Sequence, residues 1–242
     1  MMRLTPARFS RLMTSDAKSV GRDPTLLFAI VMSALPPFMF WLWAPGWEEA
    51  ALASFGVESL SRYLAPVFLV MPAMLLGWVT GCLLLEDRDD GTLLAVDVTP
   101  LGKAGFFTYR ALVTAAVTAV VTAPSCAVVI SEQPATLWVA LTLLISIEAV
   151  CAAFVLPALA RNKVEGLAIT KLTNLFAVAP LLALIDSPLR YLAGLIPTFW
   201  IGEALSLSDV RYLDPALIIT FGVAYHLAAA ALLYKLVGRR VG

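Results

Sequence analysis

Six apolar blocks run along the chain, near residues 25–44, 64–85, 111–130, 137–160, 167–186 and 216–237. Each approaches the ~20 residues a helix needs to cross a hydrocarbon core about 30 Å thick. Within the blocks the apolar residues form long runs rather than the amphipathic periods of water-facing elements. The pattern predicts an all-α integral membrane protein whose six transmembrane helices form one domain, residues 23–242. The fifth block is the most interrupted, by Lys171, Asn174 and Pro180.

Composition agrees and narrows the field. Of 242 residues, 60% are apolar and 14% charged, whereas a soluble domain carries about 25% charged residues. Seventeen Lys and Arg balance seventeen Asp and Glu, so no net field draws a nucleic acid partner. The distribution of the basic residues sets an orientation. With both termini cytoplasmic, only Arg62, Arg190 and Arg211 of the seventeen fall outside. The positive-inside rule therefore predicts a six-span protein with both termini on the cytoplasmic side. Cys82, Cys126 and Cys151 each lie within an apolar block and read as small buried hydrophobes.

Before the first span, residues 1–22 form a separate element. Thr5-Pro6 is a good helix start, and Leu4, Phe9, Leu12, Met13 and Val20 recur near a 3.6 period, with Arg8, Arg11, Ser15 and Lys18 on other faces. This predicts an interfacial amphipathic helix against membrane lipids. Between spans five and six, the apolar stretch Leu195–Ile201 within residues 187–215 predicts short re-entrant or interfacial helices, with Trp200 and Tyr191 at headgroup depth.

The densest polar run is Glu86-Asp87-Arg88-Asp89-Asp90-Gly91-Thr92, followed by Leu93 and Leu94. Gly91-Thr92 opens a short helix that must end before Thr99-Pro100, because the residue preceding a proline avoids the helical region. One enzyme class shares part of this run. Membrane-embedded CDP-alcohol phosphotransferases use D-x-x-D-G-x-x-A-R to hold divalent metal, and Asp87, Asp90 and Gly91 fit its opening. Leu94 and Ala95 break the pattern, and Tyr109 and Val113 replace its remaining aspartates.

The run from Glu86 to Leu94, then Val98-Thr99-Pro100-Leu101 and Tyr109-Arg110, resembles the E-x-x-x-G-T-L…T-P-L segment of ABC-2 type transporter permeases. Asn162-Lys163-Val164-Glu165-Gly166-Leu167-Ala168 resembles the turn between spans four and five in a small bacterial subgroup of fluoroquinolone-type exporters. Pro180-Leu181, Pro197-Thr198-Phe199-Trp200 and Gly202-Glu203-Ala204 are similar to its outer segment. The resemblance implies a protein of the bacterial inner membrane, with a type V exporter-like fold and a cytoplasmic coupling helix between spans two and three. It implies that Glu86 to Leu94 with Thr99 and Pro100, and Asn162, Lys163 and Glu165, contact a separate ABC ATP-binding subunit. It also implies a second permease copy, identical or paralogous, and export of a hydrophobic or amphipathic small molecule or lipid, with haem or polysaccharide export as the alternative. ATP and Mg would sit on the partner. This chain has no G-x-x-x-x-G-K-[ST] and is expected to bind no cofactor and catalyse nothing by itself.

Inside the membrane, Glu148 and His226 are the costly residues. Each lies about ten residues into its span, and spans four and six run in the same direction, so both sit at similar depth. Intramembrane ionisable groups mark pathways or partnered sites.

The topology has a direct check. A Cys placed at Gly56 should react with a membrane-impermeant maleimide added outside, and one at Gly102 should not; the reverse labelling would overturn the orientation.

Overall fold

The computed structural model describes residue 14 and residues 24–205, 207, 208, 210 and 212–241. The interfacial helix expected over residues 1–22 lies, apart from Thr14, outside the described residues. All regular elements among them are helical. In chain order they are α1 (Pro24–Phe55), α2 (Leu60–Asp89), α3 (Thr92–Asp97), α4 (Gly102–Val129), α5 (Ala135–Leu159) and α6 (Lys163–Thr173). A 3-10 segment (Asn174–Leu184) continues α6, a second one covers Pro188–Leu195, and α7 (Phe199–Ala204) and α8 (Pro215–Val241) complete the chain. Among the described residues five helical stretches are long and apolar enough to cross a membrane: α2, α4, α5, α6 with its 3-10 continuation, and α8. The protein is an all-helical, multi-pass membrane protein.

The helices outrun the apolar blocks. The block near 64–85 becomes α2, with polar residues on both ends, and the block near 111–130 begins nine residues earlier, at Gly102. Apolarity marks where lipid stops, but a helix continues as long as its backbone bonds can be made. Consequently the acidic run Glu86–Asp89 is the last turn of α2 rather than part of a loop. The fifth block departs the other way. Its helix tightens to 3-10 geometry at Asn174, in the stretch where Pro180 lacks an N–H and cannot continue an α-helical ladder.

The core is built on α2 and α5, which run parallel in close contact. Gly77 and Gly81 of α2 make a G-x-x-x-G face, a spacing that lets helix backbones approach where lipid supplies no hydrophobic drive. A Cβ at Gly77 would lie 2.5 Å from Ala152 Cβ and 2.6 Å from the Ala149 carbonyl oxygen. One at Gly81 would lie 2.8 Å from the Ala153 carbonyl oxygen. Nothing larger than glycine fits. Around this seam, Leu69, Val70, Ala73 and Met74 of α2 pack with Leu141, Leu144 and Ile145 of α5 in one buried cluster. Helix α1 joins it through Phe40, whose ring stacks on Phe68 at 4.8 Å. Helix α4 turns Thr114, Thr118, Thr122 and Cys126 inward at four-residue spacing, and Thr80 and Thr114 hydroxyls meet at 2.9 Å.

Two alanine substitutions separate close packing from ordinary helix propensity. Gly77→Ala should lower thermal stability in detergent by about 1–3 kcal/mol, the usual cost of overpacking. Gly46→Ala in α1, where a Cβ meets nothing within 4 Å, should instead stabilise by roughly 0.4–1 kcal/mol. Equal shifts for the two would argue against the seam.

Candidate functional site

At one end of the bundle, the last turn of α2 gathers the sequence-predicted residues of both polar segments. Asn162 caps α6 by accepting from the Glu165 N–H at 2.9 Å, while the Glu165 carboxylate accepts from the Arg161 N–H at 2.7 Å. This satisfies orphan donors at a helix start. The capped turn lies against α2. Lys163 Nζ donates to Glu86 Oε2 at 3.0 Å, and its backbone N–H donates to Asp89 Oδ2 at 3.2 Å. Arg88 turns the other way and donates to the carbonyls of Ala160 and Pro157 at 3.1 and 3.5 Å. Arg240 of α8 donates to the Leu159 carbonyl at 2.8 Å. Two guanidinium groups thus cap the carboxyl end of α5, where unsatisfied carbonyls and the helix dipole favour cations. Asp87 pairs with Arg110 of α4 at 3.3 Å. Among the described residues no three His, Cys, Asp or Glu converge where they could hold a metal ion. The half-matched phosphotransferase motif does not assemble a metal site.

Beyond this turn, Gly91 takes φ +73°, the left-handed conformation that glycine adopts without strain, and α3 follows. Thr99 closes it by donating to the Val96 carbonyl at 2.6 Å, and Lys103 bridges back to Asp97 at 3.3 Å. The faces of α3 are unequal. Leu93 is buried in a cluster with Leu84, Phe106 and Phe107. Leu94 and Val98 are 68% and 89% exposed, and Asp90, Thr92, Thr99 and Pro100 are exposed beside them. Leu93 fastens α3 to the bundle while Leu94 and Val98 face away.

Glu148 and His226 are brought together within the bundle. Both are buried, and His226 Nε2 lies 3.5 Å from Glu148 Oε2. His226 Nδ1 is 2.7 Å from the Gly222 carbonyl. A carbonyl only accepts, so Nδ1 bears a proton, and a second proton between Nε2 and Oε2 completes the contact from either side. Cys151 donates to the His226 carbonyl at 3.6 Å. Glu148 also borders a cavity of about 210 Å³ together with Trp78, Phe176 and Tyr225.

At the opposite end lies a buried pair that the sequence reading missed. Arg190 donates to Glu203 Oε1 at 2.7 Å, and Tyr191 Oη donates to the same oxygen at 2.7 Å. Arg190 also reaches the carbonyls of Ile185 and Val210 and stacks over the rings of Tyr191 and Tyr212. Burial works against its charge, but the bond and charge of Glu203 outweigh it and raise the Arg190 pKa. Burial first, then the Glu203 carboxylate, raise that of Tyr191. Ser208 donates to Asp186 and fastens the following segment. These contacts close the non-membrane-length segments between Pro188 and Val210 into a compact cap. A thirteen-residue separation across two short helices carries no periodic signal, though a charged pair within an apolar stretch is itself a sign of burial.

A bundle of long apolar helices, with an ionisable pair buried inside it and polar turns at its ends, defines a multi-pass membrane protein. Residues 16–234 match the family described as "Fluoroquinolones export permease protein Rv2686c-like", and the chain belongs to that family. Two relatives from Mycobacterium tuberculosis are named Fluoroquinolones export permease protein MT2760, from strain CDC 1551 / Oshkosh, and Fluoroquinolones export permease protein Rv2686c, from strain ATCC 25618 / H37Rv. Each is 28% identical over 229 residues, covering 91% of this chain and 90% of the relative. No solved structure matches the chain.

Arg190→Leu should cost about 3–5 kcal/mol, because it strands a buried carboxylate. The double variant Arg190→Leu/Glu203→Leu should recover part of that loss. Thermal unfolding in detergent would read both; additive losses would show that the two side chains act independently.

Proposed function

We propose that the chain is the permease subunit of an ABC-2 type exporter. In this reading it has six spans, with α1 as the first, and both termini cytoplasmic in a bacterial inner membrane. It moves a hydrophobic or amphipathic small molecule or lipid out of the cytoplasm, using ATP hydrolysed with Mg by a separate ABC subunit, and a second permease copy completes the pathway. What carries the reading is the family match over residues 16–234. The names of the two relatives support a drug-like substrate.

The geometry of α3 supports the coupling half of the proposal. It is a short helix held between α2 and α4, with Leu93 sunk into the bundle and Leu94, and Val98 just past its end, standing clear. Leu94 and Val98 are the apolar contacts offered to the ATPase. The acids Glu86, Asp87, Asp89 and Asp90, with Arg88, set register and partner choice, an effect charges exert on specificity more than on affinity. Asn162, Lys163 and Glu165 form a second contact beside them, tied to α2 through Glu86 and Asp89. A rigid-body movement of the ATPase would then enter α2 and α4 together. Glu148 and His226 lie on the transport pathway in this reading.

The test uses exposed positions only. Leu94→Asp with Val98→Asp should leave membrane insertion and thermal stability unchanged, while ATPase copurification and export fall at least about tenfold, the equivalent of ~1.4 kcal/mol of contact. Normal ATPase binding and export by this variant would remove α3 from the coupling interface.

A further inference from the structure

Glu148 and Trp78 border the cavity between α2, α5, the 3-10 segment and α8. Trp78 Nε1 is buried without a hydrogen-bond partner, and Glu148 Oε2 faces only His226 Nε2, at 3.5 Å. The other polar side chains of the lining are engaged. Thr173 donates to the carbonyls of Ile169 and Thr170, Tyr225 donates to the Leu195 carbonyl at 2.5 Å, and Cys151 donates to that of His226. A buried polar atom left unsatisfied costs about 1–3 kcal/mol, and more when charged.

We propose that this cavity is a subsite for the cationic end of an amphipathic organic molecule. Glu148 supplies the counter-charge, and Trp78, Phe176 and Tyr225 supply aromatic walls. The inference deepens the permease reading by naming a substrate class, and it rests on that reading for the fate of the bound molecule.

The chemistry of the lining selects this class. Among the described residues the lining contains one acidic side chain and no Lys or Arg, which disfavours anions. A hard metal cation requires several oxygen ligands, and a single carboxylate among apolar walls does not provide them. An alkylammonium needs one counter-charge and aromatic faces, which attract cations through their ring quadrupoles. The volume, about 210 Å³, falls below the roughly 300–1,000 Å³ of pockets that enclose a drug-sized molecule. It therefore receives one end of the substrate. His226 is a positioning residue: fixed through Nδ1 to Gly222, it stands against the Glu148 carboxylate.

The probes are phenyltrimethylammonium and its uncharged isostere tert-butylbenzene, titrated into the purified full chain in nanodiscs and read by calorimetry. The wild-type chain should bind the cation at least about tenfold more tightly than the isostere, as expected for one charge-assisted contact. Glu148→Gln should erase that preference and leave isostere binding within about threefold. Val155→Trp fills the same cavity from α5, about two helical turns beyond Glu148, and should abolish binding of both. A wild-type chain with no preference, a folded Glu148→Gln chain that keeps it, or a Val155→Trp chain that binds both normally would overturn the proposal. Should Glu148→Gln not fold, the other two measurements decide. ATPase copurification and export by the wild-type chain, measured beside this binding, separate the two readings. Cation preference without either leaves this subsite standing and overturns the permease reading, whereas both without cation preference leave the permease reading standing alone.

Discussion

The distance between α2 and α5 governs the rest of the molecule. In lipid, helices gain little from burying apolar side chains against one another, so association depends on close packing and on polar contacts. Gly77 and Gly81 against Ala149, Ala152 and Ala153 bring two backbones near enough for dispersion contacts that bulkier residues would prevent. This seam fixes one face of α5 against α2. It leaves Glu148, Cys151 and Val155 to border the cavity. The position of the buried carboxylate is therefore a consequence of the small residues on the neighbouring turn.

At both ends the polar groups complete what the apolar packing leaves open. Arg88 and Arg240 reach in from two helices to the last carbonyls of α5, so that the helix ends beside charge rather than in lipid. At the other end Arg190 and Glu203 neutralise each other out of solvent, with carbonyls and tyrosine rings taking up the remaining capacity of the guanidinium. A buried pair of this kind contributes little net stability but is costly to break. It defines one arrangement of short helices that have few regular hydrogen bonds of their own.

Much of this was legible beforehand, for physical reasons. Apolar runs of membrane length announce helices, so the long elements were found, while their ends were misplaced because α2 and α4 extend well into polar sequence. Helix α3 was marked by Gly91 before it and Pro100 after it. Which side of α3 faces the bundle was not legible: six residues are too few for a period, and Leu93 and Leu94 look alike until tertiary contacts choose between them. Counting residues placed Glu148 and His226 at one depth, but only the relative rotation of α5 and α8 could make them neighbours. The Gly77-x-x-x-Gly81 spacing was visible and went unread. Arg190 and Glu203 offered no spacing to read. The match with export permeases agrees with the resemblance found in the motifs.

The cavity beside Glu148 has walls of unequal stiffness. On one side α2 is a continuous helix of 30 residues, about 45 Å at ~1.5 Å per residue, locked to α5 along its middle. On the other side the chain runs in 3-10 geometry from Asn174 to Leu184, with poorer hydrogen bonds than an α-helix and a proline within it. Under a common load such a structure does not deform evenly. The locked pair moves as a beam and the 3-10 wall takes up the strain, so that a push delivered at the far end of α2 changes the width of the chamber rather than the shape of its rigid side.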